Sequence, residues 1–494
     1  MSRNTILSGR PRRSASGKVH PVDEVLPIHR LFIFGVQHLF IMYAGAVAVP
    51  LIVGPAIGLD SHDIAILVSA DLLVSGIATI IQTVGISSLF GVRLPIVAGA
   101  TFTVLNPMII IATQYGGRSG LPYVYGAMMI SGIFGLIIAK PFSMVVRFFP
   151  PLVAGTVICM IGLSLAGADI TLIYGDAKSG DKHVGSIGRI ALAGLVIVAI
   201  LAITRIFHGF VSQIAVLLSL VLGTVVASFM NLVDFSNVKD AAWVGAPHIF
   251  HFGAPKFAPA AIITMCIVMV VTYTESTADM IAVAELVDKE VTPNDLARGL
   301  ATDGLSAVLA SFTNSFPDTA FAENVGLVGL TKIRSRWVVT TCGGFLLVMG
   351  LIPKIGQFIA DLPGPVIGGG ATVMFAMVTA VGIQTLHKVN FTDNHNLLIV
   401  AASLAVGLIP AFSPTFYSKF PKDFQVIFGS SITATVMVVF VLNLVFNHWK
   451  VGTTGTGAVQ MAVNEGAVAM DVPNGGVPSR PQDAPDASVR STQQ

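Results

Sequence analysis

A chain of 494 residues that is 54% hydrophobic and 11% charged, with a mean hydropathy of +0.81, is no soluble globular domain, in which about 25% of residues carry charge. A formal net charge of +2 without a Lys/Arg run argues against a nucleic-acid partner. Cys159, Cys266 and Cys342 each sit in an apolar run with no C-x-x-C spacing, so they read as small buried hydrophobes, with no disulfide framework and no metal cluster.

Residues 1–30 hold Arg3, Arg10, Arg12, Arg13, Lys18 and Arg30 among Ser, Pro and Gly. No apolar core followed by a cleavage site is present, which makes this stretch a cytoplasmic tail rather than a signal peptide. Apolar runs then fall near 31–53, 63–86, 94–113, 121–139, 151–169, 187–207, 209–233, 258–286, 294–315, 319–332, 335–358, 363–386, 394–413 and 426–447. About fourteen transmembrane segments of an all-α polytopic membrane protein are expected. Lys140, Arg147, Arg205, Arg298, Lys332, Arg334, Arg336, Lys388 and Lys450 lie in loops of one parity, and the positive-inside rule then puts both termini in the cytoplasm. From 464 onward the chain turns to Asn, Pro, Ser, Gln and Asp, and 448–494 reads as a disordered C-terminal tail.

The tenth run differs from the others. Pro317 ends any helix arriving from 297–312, Gly326 and Gly329 follow, and Lys332, Arg334 and Arg336 close it. Only about a dozen residues separate the breaker from the charges, too few to span a bilayer at ~1.5 Å per residue. A broken segment bearing Glu323 and Asn324 is tolerated at membrane depth only where it lines a protein-walled cavity. The third run has a counterpart break, with Pro95 ahead of Ala98, Gly99, Ala100 and Thr101. Pro150-Pro151-Leu152-Val153 and Pro363-Gly364-Pro365-Val366 open the fifth and twelfth runs in the same way. Both pairs are seven segments apart, an odd number, which inverts the second copy relative to the first. Inverted repeats with matched interruptions point to a secondary transporter whose site lies where the interruptions meet.

Ionisable groups inside these runs are functional candidates because they are costly there. Glu275 and Asp279 in the eighth run are four residues apart and share a helix face. A carboxyl that holds and releases a proton is what proton coupling requires. Asp303 in the ninth run is either a coupling residue or a helix-entry residue near the cytoplasmic face. Glu323 with Asn324 offers acceptors and a donor to a flat heterocycle with alternating N–H and C=O groups. His38, beside Gln37, suits either helix-packing hydrogen bonds or a role near the site. Phe102 between Thr101 and Thr103 has a ring that could stack on a base, though on the residues alone ordinary packing is the better account. Asp71 stays unassigned. The chain has no G-x-x-x-x-G-K-[ST] loop for ATP and no G-x-S-x-G or H-E-x-x-H hydrolase pattern.

ENVGLVGLTK at 323–332 resembles the signature of the nucleobase–ascorbate transporter family: Gln, Glu or Pro, then Asn, any residue, Gly, four of any kind, Thr, and Arg, Lys or Gly. Gln37-His38, the Glu275 segment and Asp303 fit the same family, over roughly 28–450. The resemblance implies two inverted seven-segment repeats. A core is built from 31–139 and 258–358 (segments 1–4 and 8–11), and a gate from 151–233 and 363–447 (segments 5–7 and 12–14). It further implies short strands in segments 3 and 10 and a homodimer in the cytoplasmic membrane. The implied activity is proton-coupled uptake of a free nucleobase, without metal, cofactor or enzymatic turnover. By position, Glu275 and Glu323 bind the base, Phe102 and Ala322 flank it, and Asn324 belongs to the same site. Asp279, Asp303 and His38 support coupling. Glu323 in place of Gln resembles uracil carriers, whereas Asp279 and the strings ESTADM and FAENVGL resemble the xanthine/urate branch. The balance favours a purine over uracil. An uncoupled facilitator would need a continuous polar lining, and an anion carrier on the same architecture would need a site that is not acidic.

Overall fold

Prolines and hydroxyl-bearing caps cut the apolar sequence into helices. The computed structural model describes residues 20–145, 151–175, 184–392 and 394–448. The basic stretch before residue 20, Arg147, the charged loop 176–183 and the polar tail after 448 lie outside the described residues. Within them the helices are α1 (Ile28–Ala56), α2 (Ser61–Val84), α3 (Leu105–Gln114), α4 (Leu121–Val145), α5 (Pro151–Tyr174), α6 (Ile187–Ile206), α7 (Phe210–Gln213), α8 (Ala215–Phe229) and α9 (Ser236–Asp240). There follow α10 (Pro259–Leu286), α11 (Pro293–Thr313), α12 (Ala322–Thr331), α13 (Arg336–Gly350), α14 (Pro353–Ala360), α15 (Gly364–Leu386), α16 (Asn394–Phe412), α17 (Lys422–Phe428) and α18 (Ser431–Asn443). Two strands interrupt them, β1 (Ala98–Ala100) and β2 (Asp318–Ala320).

Each boundary has a local cause. Asp60 accepts the Asp63 N–H at 2.8 Å to start α2. Thr292 and Asp295 form a capping box at the head of α11, with Pro293 in its first turn. That helix ends at Asn314 in the left-handed conformation, the usual stop for a helix when glycine is absent. Pro317 follows, and the chain extends into β2.

Among the described residues eight helices are long and apolar enough to cross a membrane, or ten if two bent pairs each count as one span. One such pair is α13 with α14, bent by 82°. Every one of the fourteen apolar runs nevertheless coincides with a helix, a helix pair or a strand followed by a helix. The difference between the fourteen runs expected from the sequence and these eight to ten helices has three sources. Segments 3 and 10 are half extended, each with a helix of 10 residues. Segment 7 is divided between α7 and the 15-residue α8. The 21-residue α11 carries Asp295, Arg298 and Asp303, which lower its hydropathy.

The helices pack in close-fitting pairs, chiefly α4 on α11, α2 on α13 and α5 on α15. Glycine permits the first approach: a Cβ on Gly132 would lie 2.8 Å from the Gly304 carbonyl oxygen, with α11 backbone on the other side of the contact. A buried ion pair ties the segment before α1 to this assembly. Arg336 Nε donates to Asp23 Oδ1 at 2.7 Å, while its Nη1 caps the end of α2 through the carbonyls of Thr83 and Val84.

The strands pair antiparallel, with Ala98 opposite Ala320 and Ala100 opposite Asp318. A two-stranded ribbon leaves outer edges unpaired, and here side-chain hydroxyls cover them. Thr79 on α2 bonds both the N–H and the carbonyl of Ala98, at 3.0 and 3.2 Å. Ser306 on α11 accepts the Asp318 N–H at 3.1 Å, and Ser276 on α10 accepts the Ala320 N–H at 3.0 Å. Because the strands are antiparallel, the chain leaves them in opposite directions, into α3 from one and α12 from the other.

Gly132→Val is expected to destabilise the protein by about 1–3 kcal/mol through overpacking. A lowered melting temperature on detergent-solubilised protein would show it, and an unchanged melting temperature would refute the tight α4–α11 contact.

Candidate functional site

Residue 101 is where β1 ends and the peptide chain turns toward α3. The Thr101 hydroxyl accepts the Thr103 N–H at 3.2 Å, which bends the backbone into a short 3-10 turn over Phe102–Val104. That bend aims two hydroxyls at α10. Thr103 Oγ1 donates to Glu275 Oε1 at 2.8 Å, and Thr101 Oγ1 donates to Glu275 Oε2 at 3.2 Å. The carboxylate is therefore fixed at the strand exit with one donor on each oxygen.

One turn further along α10, Asp279 lies within electrostatic range of both Glu275 and Glu323. Three of the acidic residues singled out in the sequence thus converge. Glu323, itself half-buried, is in the first turn of α12, between the exposed Ala322 and the buried Asn324. The N-termini of α3 and α12, with their unsatisfied N–H groups, both begin at the strand pair, which offers partial positive charge to acceptor atoms of a ligand. Phe102 is partly buried, and its ring meets Phe375 of α15 edge-on at 5.6 Å. The ring therefore stands between the strand pair and the α5–α15 pair.

Asn324 faces away from the carboxylates. Its Nδ2 donates to His38 Nδ1 and to the His38 carbonyl, both at 3.0 Å, and pins α12 to α1. His38 is buried in this contact, so the structure joins it to Asn324 rather than to the acids.

Asp303 also stands apart. It accepts from Gln82 of α2 at 3.0 Å and lies on the far side of the strands, near Asp318. Asp318 accepts from Ser75 at 3.0 Å and is in electrostatic reach of Asp71. Asp71 and Asp318 are fully buried and Asp303 nearly so. The acids thus divide into two groups, Glu275–Asp279–Glu323 on one side of the ribbon and Asp71–Asp303–Asp318 on the other. Ser276 lies between them, touching Thr319 Oγ1 at 2.9 Å as well as the strand edge.

Sequence reasoning missed the roles of Thr101, Thr103, Ser276 and Asp318. A threonine pair around an aromatic residue just after an Ala-Gly-Ala stretch was the available sign for the first two. A carboxylate immediately after the breaking Pro317 was the sign for Asp318. Among the described residues no group of His, Cys, Asp and Glu is arranged to hold a metal ion.

Residues 29–416 match the Xan_ur_permease model of the Permease family. The chain is 39% identical over 441 residues to the uric acid transporter UacT of Escherichia coli (strain K12), covering 88% of this chain and 91% of that protein. It is 40% identical over 413 residues to the xanthine permease of Bacillus subtilis (strain 168), covering 84% and 93%. Among solved structures, the transmembrane domain of the cyanobacterial bicarbonate transporter BicA is similar with a TM-score of 0.57 at 14% identity, over 85% of this chain and 98% of that one. The murine anion transporter Slc26a9 in its inward-facing state gives a TM-score of 0.56 at 14% identity, over 85% and 68%. At such identities these two establish a shared fold.

Asn324→Ala is expected to cost about 1–3 kcal/mol, because it strips the buried His38 ring of its donor. Thermal unfolding of the purified protein measures this; an unaltered midpoint would mean that the His38 contact contributes nothing.

Proposed function

The chain belongs to the nucleobase–ascorbate (xanthine/uracil) permease family, and on that footing we propose that it is a proton-coupled symporter taking up a free purine base of the xanthine/urate type. The observation that carries the reading is the Glu275 carboxylate, held by Thr101 and Thr103 at the strand exit with Asp279 and Glu323 in reach. A purine presents ring N–H groups that such a carboxylate accepts, and its carbonyls suit the N–H groups at the head of α12. Glu323 then takes an N–H on the other edge, the Phe102 ring and the Ala322 backbone flank the plane of the base, and Asn324 keeps α12 in register through His38. The uric acid and xanthine carriers among the relatives support the purine assignment.

Asp279 is the proton carrier beside the base, since it neighbours two other carboxylates. Asp303 assists from behind the strands, and His38 acts through Asn324. The acidity of this pocket disfavours transport of an anion.

The architecture that goes with this function is fourteen segments in two inverted repeats of seven. Segments 1–4 and 8–11 form a core that moves against a gate of segments 5–7 and 12–14. The antiparallel ribbon from which α3 and α12 leave in opposite directions supports the inversion. The basic residues between segments support cytoplasmic termini and placement in the cytoplasmic membrane, and the family resemblance supports a homodimer. A pyrimidine is the second reading, favoured by Glu323 where purine carriers have an amide.

Competition of labelled xanthine and labelled uracil uptake by unlabelled bases, with and without a protonophore, tests the assignment. Xanthine should win, and the protonophore should collapse accumulation. A uracil preference would overturn the purine reading, and accumulation insensitive to the protonophore would overturn proton coupling. Glu275→Gln is expected to abolish uptake while the protein stays in the membrane; wild-type uptake by this variant would sink the role given to Glu275. Asp279→Asn should retain binding and lose accumulation against a gradient. Undiminished accumulation by that variant would remove Asp279 from coupling.

A further inference from the structure

A cavity of about 440 Å³ lies between α1, α3, α5 and the 410–429 region, within the roughly 300–1,000 Å³ range of small-molecule pockets. Glu275, Asp279, Glu323 and Phe102 are not among the residues that line it. Its polar groups are Asn106, Thr113 and Gln114 of α3, Ser164 and Thr171 of α5, Tyr417 and Gln425, and no charged side chain contributes to its wall. Asn106 stands one helical turn beyond Thr103, so a single half-helix carries a residue of each site.

Three features give this cavity a chemistry. The Asn106 Oδ1 is buried and has no hydrogen-bond partner among the described residues, so it lacks a donor that a ligand N–H would supply. Gln114 Nε2 donates to Gln425 Oε1 at 3.1 Å, and Gln425 Nε2 donates to the carbonyls of Phe420 and Ser418 at 2.7 and 3.2 Å. An amide chain thus crosses one wall, where a ligand with adjacent N–H and C=O groups finds complementary partners. The half-buried Tyr417 adds an aromatic face and belongs to a run of packed rings with Phe416, Phe420 and Phe424. An uncharged wall with one orphaned acceptor, amides and an aromatic ring selects a neutral, flat, amide-bearing ring and gives nothing to a free ion.

We propose that this cavity is a second, uncharged binding site for the transported nucleobase, occupied on the way to or from the acidic site. The proposal rests on the nucleobase reading given above. It assigns Asn106 as a substrate-recognition residue whose carbonyl accepts a ring N–H.

The test uses the full chain with Cys159, Cys266 and Cys342 replaced by alanine, after confirming that it still takes up xanthine. Thr113→Cys, at an exposed position of the lining, is labelled with a membrane-impermeant maleimide in a Glu275→Gln background, and xanthine is the probe. Xanthine at twice its dissociation constant for this cavity should slow labelling about threefold by mass action, although the acidic site is disabled. Adding Asn106→Leu should remove that protection. In uptake assays Asn106→Leu alone should raise KM about tenfold at unchanged kcat, the mark of binding lost equally from ground and transition states. If Thr113→Cys goes unprotected at saturating xanthine while the Glu275 parent transports normally, the second site is refuted and the nucleobase reading stands. If the unaltered chain takes up no purine at all, both fall. Should Asn106→Leu fail to fold, the protection of Thr113→Cys decides the matter by itself.

Discussion

An unpaired backbone N–H or carbonyl in an apolar interior costs several kcal/mol, and this requirement organises the middle of the molecule. Segments 3 and 10 give up helical hydrogen bonds where β1 and β2 begin, so each must find partners elsewhere. They find each other along one edge. On the outer edges they find Thr79, Ser276 and Ser306, which brings α2, α10 and α11 to the same point. Satisfying the strands is thus also what positions Glu275, the residue before Ser276 on α10.

The same junction sorts the buried acids. Side chains on one side of the ribbon are open to a ligand and meet the heads of two half-helices. Those on the other side, Asp71, Asp303 and Asp318, meet hydroxyl and amide groups of Ser75, Ser315 and Gln82. Isolated buried carboxylates are expensive, and the three on this second side are the most deeply enclosed of the six. The nearby hydroxyls and amides satisfy single oxygens without supplying compensating positive charge. Positive charge lies instead at the ends of α2, where Arg118 pairs with Asp63 and where Arg336 and Asp23 close the segment before α1 onto α2 and α13.

Much of this was legible in the sequence because prolines, glycines and charges mark it. Pro317 and Pro95 announced the interrupted segments, and the apolar runs located each helix. Glu275, Asp279 and Glu323 stood out as charges in apolar surroundings and do converge. What the sequence hid was which hydroxyls serve which partner. Thr79, Ser276 and Ser306 look like ordinary helix residues, since a serine or threonine that bonds its own helix and one that bonds a distant strand are spelled alike. Asp303 was visible as a buried acid but not its position behind the ribbon, because a helix face reveals its neighbours only after packing. His38 was poised between two roles, and only the distance to Asn324 resolves its contact.

Ala98 and Ala320 face each other across paired strands but stand more than two hundred positions apart in the chain. A ribosome making this protein from its N-terminus therefore delivers β1 into the bilayer long before β2 exists. In the interval Thr79 is the one strand partner already synthesised, and the remaining polar backbone of β1 must be covered by water, lipid headgroups or an insertion factor. The centre of the molecule is consequently among the last parts to be finished during biogenesis, and a chain truncated before residue 318 has an open seam at its heart.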